Sequence, residues 1–106
     1  MVRFNHYGVP VVSVVEGCSF VEELGVYVTD YAQDPMAMEF LYVPKDSSIV
    51  PAELRTQNHI AYDTDEFDAI LSKSKVLYQF LCPKDNKTRM AFVNYKDAIV
   101  ELKEVE

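Results

Sequence analysis

Asn58-His59-Ile60-Ala61-Tyr62-Asp63-Thr64-Asp65-Glu66-Phe67-Asp68-Ala69-Ile70-Leu71 runs a short alternating strand straight into an acidic-started amphipathic helix. Alternation predicts a strand over His59 to Asp63. Phe67, Ile70 and Leu71 at helical spacing predict a helix over 65–73 with one apolar face. Asp65 and Asp68 are placed to cap its start, and Lys73 suits its C-terminal end. An earlier stretch repeats the plan. Phe4-Asn5-His6-Tyr7-Gly8-Val9 opens a strand that reads on to Val12, with Phe4, His6 and Gly8 on one face. Ser13-Val14-Val15-Glu16 then fits a capping box. Val14, Cys18, Val21 and Leu24 follow at helical spacing until Gly25 ends the segment. Each copy opens its strand with a histidine.

Working outward, Val26 to Tyr31 and Ala37 to Val43 read as a hairpin turned by Gln33-Asp34-Pro35. Pro44 to Gln57, with Pro44, Asp46, Ser47, Ser48 and Pro51, reads as a connection. Val76 to Cys82, Arg89 to Tyr95 and Ala98 to Val105 complete the second half as strands, with Lys96-Asp97 as a tight turn. The order is therefore β-α-β-β, a connection, then β-α-β-β-β. A repeated unit whose helix covers one sheet face implies an α+β fold, with the opposite face forming a cleft. Neither half could bury a core alone. One domain over 1–106 follows, with module 1 at about 1–43, the connection at 44–57 and module 2 at about 58–106.

The 106 residues are 49% apolar and 25% charged, an ordinary globular balance that argues against disorder. A net charge of −7 repels phosphates, which disfavours nucleic acid and anionic membranes as partners. No run approaches the roughly 18 apolar residues of a membrane span, and the first residues lack the apolar core of a signal peptide. A cytoplasmic protein is the simplest expectation. Cys18 and Cys82 stand in neither C-x-x-C nor zinc-ribbon spacing, and both read as small buried hydrophobes.

The chain resembles the vicinal oxygen chelate superfamily, which includes glyoxalases, bleomycin-resistance proteins and extradiol dioxygenases. The resemblance rests on four stretches: His6-Tyr7-Gly8-Val9, Phe20 with Leu24-Gly25, His59-Ile60-Ala61-Tyr62, and Ala98-Ile99-Val100-Glu101-Leu102. It implies a glyoxalase-like fold of two βαββ(β) modules forming a curved mixed sheet. It also implies a divalent metal (Zn, Ni, Mn or Fe) held by a histidine on the first strand and a glutamate on the last strand of each module. Carried over by position, His6, His59 and Glu101 become the ligands. Glu39 becomes a fourth ligand or a catalytic base. The separation of 33 residues from His6 to Glu39, against 42 from His59 to Glu101, makes the copies unequal, so three ligands and four are both open. Two imidazoles with one or two carboxylates suit first-row metals and leave positions free for substrate. A histidine at a strand start, or Glu101 between Val100 and Leu102, serves equally well as ordinary strand structure.

Other residues carry plainer expectations. Tyr42, Tyr62, Tyr78 and Tyr95 read as core or cross-strand packing, and Arg89 as one half of a surface ion pair. Asp63, Asp65, Glu66 and Asp68 lack the glycine and terminal glutamate of a calcium loop. The expected function is a glyoxalase-like metal-dependent lyase or isomerase acting on a small oxygenated substrate. The alternative is a non-enzymatic binder of a small ligand, of the bleomycin-resistance kind. Modules can pair within one chain or between two, so a homodimer is one arrangement the resemblance allows.

Overall fold

A computed structural model describes all 106 residues. Eight strands form one curled sheet in the order β2-β3-β4-β1-β5-β8-β7-β6. They are β1 (Val2–Pro10), β2 (Ser19–Val21), β3 (Val26–Val28), β4 (Met38–Tyr42), β5 (His59–Thr64), β6 (Lys75–Leu81), β7 (Arg89–Tyr95) and β8 (Ala98–Glu104). A single α-helix, α1 (Phe67–Ser72), follows β5. At the centre β1 and β5 run antiparallel. Each then pairs in parallel with the last strand of its own half, β1 with β4 and β5 with β8. Antiparallel pairs complete both flanks. The strands of the two halves are thus arranged alike about the β1–β5 seam.

The second half follows its sequence pattern. Alternation along β5 turns His59, Ala61 and Asp63 to one face and Ile60 and Tyr62 to the other. Phe67, 2% exposed, opens α1 and faces the sheet in a cluster with Ala91, Val93, Val100 and Leu102, against which Ile70, Leu71 and Tyr62 also pack. The other cluster, Val26, Leu41, Val43, Val50, Leu54, Phe92 and Ile99, lies on the concave side. Lys96 and Asp97 both take positive φ, 52° and 73°, as the tight turn between β7 and β8 requires. No helix is long and apolar enough to cross a membrane.

The first half departs from its expected helix. Nothing between Ser13 and Leu24 is helical, and the segment instead contributes β2, a strand of three residues paired with β3. Gly17 sits at φ +85°, outside the helical region, among Val12, Val14 and Val15, whose branched side chains favour extended backbone. The box at Ser13 therefore caps no helix. Cys18 is half-buried in the turn before β2, while Cys82 is buried. Gly25, at φ +67°, closes the β2–β3 turn by donating its N–H to the Val21 carbonyl at 2.8 Å. The fold is accordingly sheet-dominated, with a helix in one half only, and a pair of βαββ(β) modules describes it loosely. The strand β2 is the one the first half lacked in the sequence reading.

Two further corrections concern position. At Asn5 a bulge shifts the β1–β5 register, so that Phe4 pairs with Tyr62 and His6 with Ala61. Phe4 thereby meets the Tyr62 ring edge-on at 6.4 Å on the helix side, while His6 turns into the concave face. The connection 44–57 packs as core: Val50 and Leu54 are buried. The Arg55 guanidinium anchors it by donating to the carbonyls of Val43 and Ser47.

Candidate metal centre

Sheet register brings four residues from four strands to one place on the concave face. Gly8 of β1 lies opposite Glu39 on one side and His59 on the other. Ala61 of β5 lies opposite Glu101 on one side and His6 on the other. His6 and His59, Gly8 and Ala61, and Glu39 and Glu101 are therefore equivalent pairs across the β1–β5 seam. The unequal separations of 33 and 42 residues reflect what lies between the strands. The first half spends its residues on three-residue strands. The second spends them on α1 and on β6 and β7 of seven residues each.

Three of the four residues converge tightly. Glu101 Oε1 stands 3.2 Å from His59 Nε2 and 3.5 Å from His6 Nε2. One donor atom from each of His6, His59 and Glu101 falls within 4.8 Å of the others, and all three residues are buried. Donors bound to one ion at about 2.0–2.2 Å stand about 3–3.6 Å apart, so these spacings suit a shared first-row divalent cation. Glu39 Oε1 is 3.6 Å from His6 Nε2, but Glu39 does not join the group of three.

His6 Nε2 and both ring nitrogens of His59 are buried without a hydrogen-bond partner. Each such atom costs about 1–3 kcal/mol if left unmet. A cation taking the Nε2 lone pairs would remove that cost at two of the three. The His6 ring is prepared for this role. Asp63 accepts from Arg3 at 3.2 Å and from the Asn5 amide at 3.1 Å. That contact turns the Asn5 carbonyl oxygen toward His6 Nδ1, 2.7 Å away. Since that oxygen only accepts, Nδ1 carries a proton, and in the neutral ring the Nε2 lone pair is left for the centre. Tyr31 stacks on the other side of the ring, centroids 4.2 Å apart.

His59 is held by shape. Its ring lies over Gly8 so closely that a Cβ there would sit 2.0 Å from Cε1, and Phe92 meets it edge-on at 5.8 Å. A glycine inside a strand marks such an approach, a signal that the sequence carried at Gly8.

Burial and charge set the two glutamates apart. Burial pushes the Glu39 carboxyl up to about 7, reinforced by the Glu101 charge and only partly offset by His6 and His59. Burial also acts against the Glu101 carboxylate, yet its contacts with His59 and His6 outweigh this and bring it down to about 2. Burial opposes charging of His6, but Glu101, Glu39 and Asp63 hold it above the ordinary imidazole value. Burial, then Glu39 and Glu101, raise the Tyr31 hydroxyl. Near neutrality the cluster holds one firmly ionised carboxylate beside one poised to gain or lose a proton, the pairing that acid–base chemistry uses.

The cluster forms one wall of a cleft of about 180 Å³ whose other walls include Val26, Leu41, Leu54, Phe80 and Phe92. That is less than the roughly 300 Å³ at which drug-sized ligand sites begin. The acidic residues from Asp65 to Asp68 are otherwise engaged. Asp65 and Glu66 hold the Met1 amine at 2.7 and 2.6 Å. Asp68 binds Arg89, which also pairs with Glu104. None of them caps α1: its first N-terminal contact is Thr64 Oγ1 accepting from the Glu66 N–H. Arg89 is the surface ion pair expected of it. Tyr42 packs with Tyr27, Tyr62 with Phe4 and Tyr78 with Phe80, whereas Tyr95 is 37% exposed beneath Lys96. Asn5, Gly8, Tyr31 and Asp63 are the site residues that sequence reasoning missed. No protein-family model matches the chain, and no curated protein matches its sequence.

Proposed function

We propose that the chain is a glyoxalase-like metal-dependent enzyme of the lyase or isomerase kind, acting on a small oxygenated substrate. The observation that carries this reading is the convergence of His6, His59 and Glu101, with Nε2 of both histidines buried and without a hydrogen-bond partner. His6, His59 and Glu101 would hold the ion, with Glu39 as a fourth ligand or as the base. An ion held there would supply Lewis-acid polarisation of a substrate oxygen. The protein's own residues supply the rest. Asn5 and Asp63 fix the His6 tautomer, and the apolar walls limit water. Glu39, 3.6 Å from His6, is placed to take a proton from a carbon beside a carbonyl and return it.

The apolar lining, 14 of 23 residues, favours a second reading: a cleft that holds a small ligand without transforming it. Elemental analysis of protein purified without chelator tests the choice. Close to one equivalent of Zn, Ni, Mn or Fe, lost in His59→Ala, is the expected result. An absence of metal in both proteins removes the enzyme and leaves the binder.

A further inference from the structure

Glu39, Asp63 and Glu101 line the cleft of a chain whose net charge is already −7, a field that repels anions. Against it stand two lysines on the same lining, Lys84 and Lys103. The three arginines are all committed: Arg3 to Asp63, Arg55 to backbone carbonyls, and Arg89 to Asp68 and Glu104. Lys84 and Lys103 make no ion pair. Lys103 is half-buried on β8, two residues beyond Glu101 and on the same face. Its direct neighbour across β5 is Asp63, the natural partner for a cross-strand ion pair. Both Asp63 oxygens are already used, Oδ2 by Arg3 and Oδ1 by Asn5. A half-buried lysine whose facing carboxylate is shared with Arg3 and Asn5, and whose other acidic neighbour is the exposed Asp85, favours an anion brought by a ligand.

The structure assigns Lys103, with Lys84 at the exposed rim, as a carboxylate subsite. The substrate is then a small carboxylic acid, whose acid group meets the lysines while its hydroxyl or carbonyl oxygens reach the His6–His59–Glu101 end. Successive strand residues advance about 3.3 Å, so Lys103 stands roughly 7 Å along β8 from Glu101, the length of a short dicarboxylate. The assignment rests on the metal reading for the oxygen end alone.

Malate and lactate share a 2-hydroxy acid head, and malate adds a second carboxylate. On zinc-loaded protein, calorimetry should show malate binding about tenfold tighter than lactate. Lys103→Met should abolish that margin, and Lys84→Met should reduce it, with zinc affinity unchanged in both. Equal affinities on zinc-loaded protein, or a margin that survives both substitutions, overturn the subsite and leave the metal reading standing. Should zinc fail to bind, the metal reading falls, and succinate titrated onto metal-free protein decides the subsite alone. Movement of the Lys103 side-chain resonances, together with succinate binding that calorimetry shows lost in Lys84→Met/Lys103→Met, supports it, and no movement overturns it.

Discussion

β1 and β4 of the first half carry His6 and Glu39 where β5 and β8 of the second carry His59 and Glu101, yet the paired carboxyls titrate in opposite directions. Glu39 is pushed up to about 7 and Glu101 down to about 2. Desolvation raises each, the half-buried Glu39 and the buried Glu101 alike; close contacts with imidazoles outweigh it at Glu101, while at Glu39 the Glu101 charge adds to it. Glu101 lies within 3.5 Å of two, whereas Glu39 lies 3.6 Å from one. The histidines diverge as well: Asn5 orients His6 by a hydrogen bond, and the space above Gly8 orients His59. The outer faces differ in the same way. α1 covers the second half, whereas Phe20, Tyr27 and Tyr42 form a half-exposed aromatic ladder on the first, with spacings of 4.8 and 6.1 Å. Matching strand positions thus acquire different roles from small differences in their neighbours.

The largest expected effect concerns those outer faces. Phe67→Ala, at the buried start of α1, should cost about 3–5 kcal/mol in denaturant unfolding. Phe40→Ala on the uncovered half should cost about 1–2 kcal/mol, since less apolar area is lost. Equal costs would mean that the first half is covered in solution. Next comes the site. Gly8→Ala forces a methyl into the His59 ring and should weaken metal binding by roughly a hundredfold or more, about 2.7 kcal/mol. At the equivalent position Ala61→Gly should leave the metal in place and cost about 1 kcal/mol of stability. Competition titration against a coloured chelator reads both, and a Gly8→Ala protein that binds as tightly as wild type would sink the packing argument.

The carboxyl contrast gives a pH test on metal-free protein. Below pH 4.5 Glu39 is protonated whether the chain is folded or not. As pH rises from 4.5 to about 7, the unfolded chain ionises there while the folded one keeps its proton, so stability falls, then levels off. Glu39→Gln should therefore match wild type near pH 4 and exceed it by about 2–3 kcal/mol at pH 8. Glu101 has the reverse sign: its contribution is complete above 4.5 and is lost as pH falls toward 2. A flat difference between Glu39→Gln and wild type across pH 4–8 would show that Glu39 is not held neutral. Smallest is the orienting bond. Asn5→Ala should weaken metal binding about tenfold, and no loss at all would show that His6, like His59, is positioned by packing.

Local signals suffice for the second half. Alternation and helical spacing are local signals, and from His59 to Glu104 they produced β5, α1 and the three following strands within a residue or two. His6 and His59 stood out as the histidines that open matching strands, whereas Glu39 and Glu101 entered only through the family resemblance. Tertiary structure decided what periodicity could not. Ser13 to Leu24 has helical spacing, but Gly17 and its valines settle as loop and edge strand once β3 offers a pairing surface, where local propensity is a weak term. The bulge at Asn5, the clearance above Gly8 and the convergence of His6, His59 and Glu101 depend on register between strands up to a full chain half apart. Register is fixed only when the faces pack. The opposite charging of Glu39 and Glu101 was equally beyond the sequence, because burial and partner count belong to the folded cleft.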